Sequence, residues 1–97
     1  MPTYITLWNY TQRGIEHIDD SANRLDSAID LVESLGGEMK EFYLTMGEYD
    51  IVTVIDMPDD DAAAKAMLRI GQSGAVTGGT LKAWPEDDYR ELIENLP

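Results

Sequence analysis

The order in which strand-like and helix-like segments follow one another restricts the fold of this sequence more than any other feature. Residues 4–10, 39–46, 50–56 and 76–84 are rich in β-branched and aromatic residues and alternate with period two, as β-strands do. Apolar residues recur at helical spacing before the second and before the fourth of these segments. This βαββαβ order predicts an α+β fold of the ferredoxin-like type, a four-stranded antiparallel sheet with both long helices on one face.

Local signals place the ends of the predicted helices. The first long helix begins near Ser21 and ends at Gly36-Gly37, because glycine adopts the left-handed conformation that closes a helix. The second long helix follows Pro58, and a short C-terminal helix follows Pro85. Before the first long helix, Thr11 is placed to cap a short turn. The inward residues of the second helix are expected to be Ala63, Ala66, Met67 and Ile70.

Alternation within the strands divides the sheet into two faces. We expect one aliphatic set to lie beneath the helices: Ile5, Leu7, Phe42, Leu44, Val52, Val54, Leu81 and Ala83. The opposite set is partly aromatic: Tyr4, Thr6, Trp8, Tyr43, Thr45, Ile51, Thr53, Ile55, Thr80, Lys82 and Trp84. This second face is too apolar to stay in contact with water. We therefore expect a second copy to cover it, which gives a homodimer or higher homo-oligomer with a barrel-like interior.

Composition excludes several classes of partner. The length of 97 residues fits one domain, spanning residues 1–97. With 19 acidic against 7 basic residues, the net charge of −12 repels nucleic acid and anionic membranes, so we expect neither as a partner. This acidity fits a salt-tolerant organism as well as a cationic partner. The lack of cysteine and of a readable secretory signal leads us to expect a cytoplasmic protein.

Several separated motifs resemble those of the GYD domain family. They are residues 4–10, Thr11-x-x-Gly14, Leu35-Gly36-Gly37, Phe42-Tyr43-Leu44, Gly47-x-Tyr49-Asp50 and Pro58-Asp59-Asp60. The resemblance covers nearly the whole chain and implies a ferredoxin-like, dimeric α/β barrel in a family without an established biochemical function. Residues 45–51 more weakly resemble a hairpin in the effector-binding domains of leucine-responsive regulators, which implies a stand-alone ligand-binding module.

The segment Gly47-Glu48-Tyr49-Asp50 has a structural and a functional interpretation. Turn chemistry predicts a positive φ at Gly47 and an Asp50 carboxylate that accepts backbone N–H groups across the turn. The functional interpretation places Tyr49 and Asp50 at an intersubunit cleft, where they orient a ligand or move a proton. Glycines 78 and 79 are expected to form a strand bulge.

Three functions remain open from the sequence. The first is a small-molecule-binding module whose ligand lies between two copies of the chain, near Tyr4, Trp8, Tyr43, Gly47, Tyr49 and Asp50. The second is a cofactor-free enzyme that uses Tyr49 and Asp50, although no catalytic residue is identified. The third is a purely structural, self-associating protein. We expect no metal and no cofactor, because His17 is the lone histidine and the acidic groups lie at helix starts.

Overall fold

The chain forms the predicted order of strands and helices in a computed structural model that describes residues 1–97. The elements are β1 (Thr3–Tyr10), α1 (Gln12–Glu16), a 3-10 turn (Ile18–Asp20), α2 (Ser21–Ser34), β2 (Glu38–Leu44), β3 (Ile51–Asp56), α3 (Asp60–Gln72), β4 (Val76–Ala83) and α4 (Glu86–Glu94). The strands form one antiparallel sheet in the order β2-β3-β1-β4. The predicted ferredoxin-like α+β fold is thereby confirmed.

The predicted helix ends are also confirmed, and side chains cap the first turns of α1 and α3. Thr11 caps α1, and its hydroxyl accepts a hydrogen bond from the N–H of Gly14 at 3.1 Å. Asp59 caps α3 by accepting from the N–H of Ala62 at 2.8 Å. Gly36, with a φ of +86°, follows the end of α2 in the left-handed conformation that glycine tolerates best.

The prediction of which sheet face lies beneath the helices was wrong. Tyr4, Thr6 and Trp8 of β1 are buried, together with the alternate residues Ile51, Thr53 and Ile55 of β3. The core of the protein contains Tyr4, Val32, Ile55, Met57, Ala63 and Ala66. Small alanine residues of α3 leave room for aromatic side chains from the sheet, and the buried polar atoms all have hydrogen-bond partners. The partly polar face is therefore stable under the helices.

A bulge in β2 explains why that strand departs from simple alternation. The pairing with β3 shifts register between Met39 and Glu41, so that Phe42 lies opposite Thr53 and Tyr43 opposite Val52. Phe42 therefore lies on the helix-covered face and Tyr43 on the other face, as predicted for these two residues, but each shares its face with the residues of β1 and β3 from which the prediction separated it. The bulge predicted at glycines 78 and 79 was wrong, because β4 pairs with β1 in unbroken register.

The face opposite the helices is apolar and uncovered. We call Ile5, Leu7, Tyr43, Val52, Val54 and Leu81 the open sheet face. The side chains of Tyr43 and Leu81 are 51% and 52% exposed, and no helix of the chain covers the four aliphatic residues of β1 and β3. A water-exposed apolar surface of this kind is typical of a contact region.

The C-terminal helix α4 is amphipathic but has no buried residue. Its apolar side chains are at least half exposed: Tyr89, Leu92, Ile93 and, just beyond its end, Leu96. The molecule is consequently elongated, with extents of 51 × 30 × 17 Å. None of its helices combines the length and the apolar composition that a membrane span requires.

Candidate functional site

The loop between β2 and β3 contains the Gly47-Glu48-Tyr49-Asp50 segment. Gly47 has a φ of +128°, which confirms the predicted positive φ. Thr45 closes the loop: its N–H donates to the carbonyl oxygen of Asp50 at 2.8 Å, and its hydroxyl donates to the carbonyl oxygen of Tyr49. Backbone geometry therefore accounts for the glycine and for the compact loop.

Asp50 joins this loop to the end of β1. Its carboxylate accepts the N–H of Tyr10 at 2.9 Å, and its own N–H donates to the carbonyl oxygen of Trp8 at 2.9 Å. The carboxylate was predicted to accept N–H groups across its own turn, but it accepts the N–H of a residue in the neighbouring strand β1 instead. Asp50 is half-buried and continues the β1–β3 pairing by one further step.

Tyr4 and Asp60 form a polar link between the sheet and α3. Tyr4 is a buried residue whose hydroxyl donates to the carboxylate of the exposed Asp60, and Lys82 of β4 approaches that carboxylate at 3.0 Å. Burial, together with the negative charge of Asp60, raises the pKa of Tyr4 to about 12. The same hydrogen bond, with a further contribution from Lys82, lowers the pKa of Asp60. These shifts are those of a structural hydrogen bond between β1 and α3.

A cleft of about 380 Å³ lies between the helix-covered face of the sheet and the helices α2 and α3. The sheet forms its floor through Thr6, Trp8, Ile51, Thr53 and Ile55. The helices form its walls through mostly apolar residues that include Leu25, Ala28, Leu31, Met67 and Ile70. Its size falls within the range of roughly 300–1,000 Å³ that is usual for small-molecule sites.

Three side chains form a hydrogen-bonded group on the floor of the cleft. The indole N–H of Trp8 donates to the hydroxyl oxygen of Thr6 at 2.8 Å. The hydroxyls of Thr6 and Thr53, which lie opposite each other on β1 and β3, share a second hydrogen bond. Because all three residues are buried, these bonds fix their side chains in position.

The six predicted ligand-binding residues do not line a single cavity. Among them, Trp8 alone lines the cleft, and Tyr4 lies in the core beside it. Tyr43 is on the open sheet face, where its hydroxyl donates to Glu41 at 3.0 Å, a bond that raises the pKa of Tyr43. Gly47, Tyr49 and Asp50 are in the β2–β3 loop and do not line the cleft.

Sequence reasoning missed the helix residues at the edge of the cleft, in particular Arg24 and Arg69. Each of these arginines is next to an apolar position of its helix, Leu25 in α2 and Ile70 in α3. A cation beside the apolar stripe of a helix is ordinary, because long basic side chains lie along apolar surfaces and extend their charge to water. The sequence therefore held no signal that set these two arginines apart.

Comparison with known proteins shows similarity along most of the chain. The profile of a protein family described as "GYD domain" matches residues 4–93. A protein of Thermus thermophilus, named "Glutamine synthetase and cystathionine beta-lyase binding protein", is 33% identical over 89 residues. That similarity covers 91% of this chain and 94% of the relative. The matched region contains the sheet, the β2–β3 loop and both long helices.

Proposed function

This chain belongs to the GYD domain family, and from that premise we propose that it is a protein-binding domain that self-associates through its open sheet face. The observation that supports this proposal is the apolar, uncovered surface of Ile5, Leu7, Val52 and Val54 with Tyr43 and Leu81 around it. Burial of apolar surface is the main favourable contribution to protein association. We place this protein in the cytoplasm.

A second copy of the chain is the occupant that fits this surface best. Each chain carries two apolar surfaces that it does not cover, namely the open sheet face and the apolar side of α4 with Tyr89, Leu92 and Ile93. A two-fold axis presents both surfaces of one copy to both surfaces of the other. A symmetric contact that includes both surfaces of each copy would cover all four, and the dimer would then form through the open sheet face instead of the face predicted from the sequence.

The relative from Thermus thermophilus, named for binding two enzymes, supports a further partner for this dimer. We extend that function to this chain: the dimer binds a glutamine synthetase or a cystathionine β-lyase. Purified enzymes of both kinds from the same organism should bind immobilised wild-type protein reversibly and at saturable levels. An unrelated acidic enzyme is the control. If neither enzyme binds above this control, the extension to this chain is wrong.

A matched pair of leucine substitutions tests self-association. Leu81 is on the open sheet face and 52% exposed, whereas Leu68 is on α3 and 74% exposed. We expect wild type and Leu68→Glu to have about twice the 10.8 kDa mass of one chain in light scattering at micromolar concentration. Leu81→Glu should be monomeric, because burying an unpaired carboxylate in an apolar contact is costly. A monomeric wild type, or a dimeric Leu81→Glu, would contradict the proposal.

The ligand hypothesis for Tyr43, Gly47, Tyr49 and Asp50 stays a prediction, as does an enzymatic role for Tyr49 and Asp50. In the proposed dimer, Tyr43 lies within the contact, and the three loop residues lie just before the start of β3. A small molecule held between two copies would therefore contact Tyr43 first. Loss of such binding in Tyr43→Ala, with the dimer retained, is the result that would support this hypothesis.

A further inference from the structure

We propose that the cleft between α2, α3 and the sheet binds a small amphipathic carboxylate, whose apolar body lies on the floor and whose carboxylate contacts Arg24 and Arg69. This site is on the opposite side of the sheet from the open sheet face. It is therefore independent of the self-association proposed above. Three features of the cleft lead to this ligand class: the apolar walls, the charges at its edge and the hydroxyl groups on its floor.

The apolar walls select the body of the ligand. Leu25, Ala28 and Leu31 of α2 face Met67 and Ile70 of α3 across a space of about 380 Å³. The side chains of these five residues are only partly buried within the chain. A short alkyl chain or an aromatic ring would remove them from water, which is the main source of affinity for sites of this size.

The charges that line the cleft are the reverse of those of the whole chain. The sequence has 19 acidic and 7 basic residues. The charged residues of the cleft, however, are two basic ones, Arg24 and Arg69, and one acidic one, Asp20. The rest of this surface repels anions, so a local excess of positive charge at the edge of an apolar cleft favours an anionic head group.

Neither cleft arginine is neutralised by a carboxylate of the protein. Arg24 donates to the carbonyl oxygens of His17 at 2.9 Å and Gly14 at 3.4 Å, and Arg69 donates to the side-chain oxygen of Gln72 at 2.7 Å. These partners are neutral, so they do not compensate the charge of either guanidinium group. A guanidinium group has five N–H donors, so each arginine keeps donors that can bind a carboxylate.

Other basic side chains provide the comparison. Of the five other basic residues, Lys40, Lys82 and Arg90 form ion pairs with acidic residues of the chain, whereas Arg13 and Lys65 form none. Arg13 forms no ion pair with an acidic side chain but does not line the cleft, which makes it a matched control for the two cleft arginines.

The threonine pair on the floor offers one hydrogen-bond donor. Thr6 and Thr53 have two hydroxyl protons, but only one of these is used in the hydrogen bond between them. The indole of Trp8 supplies its own proton to Thr6. One threonine hydroxyl proton therefore remains available to a ligand whose apolar body carries a hydrogen-bond acceptor, although octanoate, the probe used below, has none there.

Trp8 makes the proposal directly measurable. The sequence contains two tryptophans, and the other one, Trp84, is 54% exposed and does not line the cleft. In a Trp84→Phe background, the emission of Trp8 alone reports on the cleft. We expect octanoate to change this emission at saturable concentrations well below its micelle formation, and octanol to do so with a weaker affinity.

The double variant Arg24→Gln, Arg69→Gln should bind octanoate at least tenfold more weakly and octanol with unchanged affinity. Arg13→Gln should bind both compounds as the parent does. Circular dichroism would establish that each variant is folded, which we expect because Arg24 is only half-buried and Arg69 is exposed. Equal effects of the double variant on octanoate and octanol, or no saturable binding of octanoate, would overturn the proposal.

Discussion

At the scale of single residues, the hydroxyl group of Tyr4 connects β1 to α3. The ring lies in the core beside Val32, Ala63 and Ala66, and the hydroxyl donates to Asp60 at the start of the helix. A tyrosine in this position joins apolar packing to a polar bond at the protein surface. The substitution Tyr4→Phe separates the two contributions to stability, because it keeps the packing of the ring and removes the hydrogen bond of the hydroxyl.

The raised pKa of Tyr4 predicts an alkaline loss of stability. Because the pKa is about 12 in the folded state and 10.0 without the protein environment, folding favours the protonated hydroxyl. The stability from this group is complete below pH 10 and is lost as the pH rises through 12. We expect the free energy of unfolding of wild type to fall over this range, by urea titration, more steeply than that of Tyr4→Phe. Parallel curves for the two proteins would contradict this assignment.

At the scale of secondary structure elements, two glycines show different reasons for lacking a side chain. Gly47 in the β2–β3 loop needs a φ of +128°, but a Cβ atom there would meet no atom within 4 Å. Gly78 is in a regular strand, and a Cβ atom there would lie 1.9 Å from the carbonyl oxygen of Leu7. The first glycine relieves backbone strain and the second permits close approach of β4 to β1.

This difference predicts unequal costs for the same substitution. Gly47→Ala should lower the free energy of unfolding by about 1–3 kcal/mol, the usual cost of a strained φ. Gly78→Ala should cost more, because the neighbouring backbone of β1 must move. Urea denaturation of both variants measures the two values, with Gly71→Ala as a control. Gly71 lies in α3 with open space around it and has no positive φ. A larger loss for Gly47→Ala would contradict this interpretation.

The sequence was sufficient for the order of elements but not for the assignment of the two sheet faces. Alternation sorted β1 and β3 correctly into two sets, yet the aliphatic set of Ile5 and Leu7 was expected in the core. Which of the two sets lies beneath the helices depends on contacts that form only in the folded sheet, such as the hydrogen bond between the hydroxyls of Thr6 and Thr53. In β2, the bulge between Met39 and Glu41 reverses the parity of every later residue in the strand.

The candidate sites show the same division between local and long-range information. The positive φ of Gly47 follows from turn chemistry within a few residues, and it was predicted correctly. The cleft combines Trp8 of β1 with Arg24 of α2 and Arg69 of α3, which are far apart in the sequence. No local pattern relates such residues, because their proximity depends on how the helices pack on the sheet.

At the scale of the whole molecule, apolar attraction and electrostatic repulsion oppose each other in self-association. The open sheet face and α4 favour contact between two copies, whereas each copy carries a net charge of −12. Charges on two surfaces interact over a Debye length of about 10 Å at 0.1 M salt and about 3 Å at 1 M. Added salt therefore weakens the repulsion and leaves the apolar attraction in place.

This balance predicts that the dimer becomes more stable as the salt concentration rises. Sedimentation equilibrium of wild type in low and in high sodium chloride should give a dissociation constant at least several times lower in high salt, because like charges of this size are screened. Leu68→Glu adds one negative charge outside the contact, and its dimer should show an equal or larger salt effect. Leu81→Glu should stay monomeric in low salt. In high salt, its dimer should have a much higher dissociation constant than the dimer of Leu68→Glu. A dimer that dissociates when salt is added would instead be held by ion pairs between the copies, and the open sheet face would then not be its main contact.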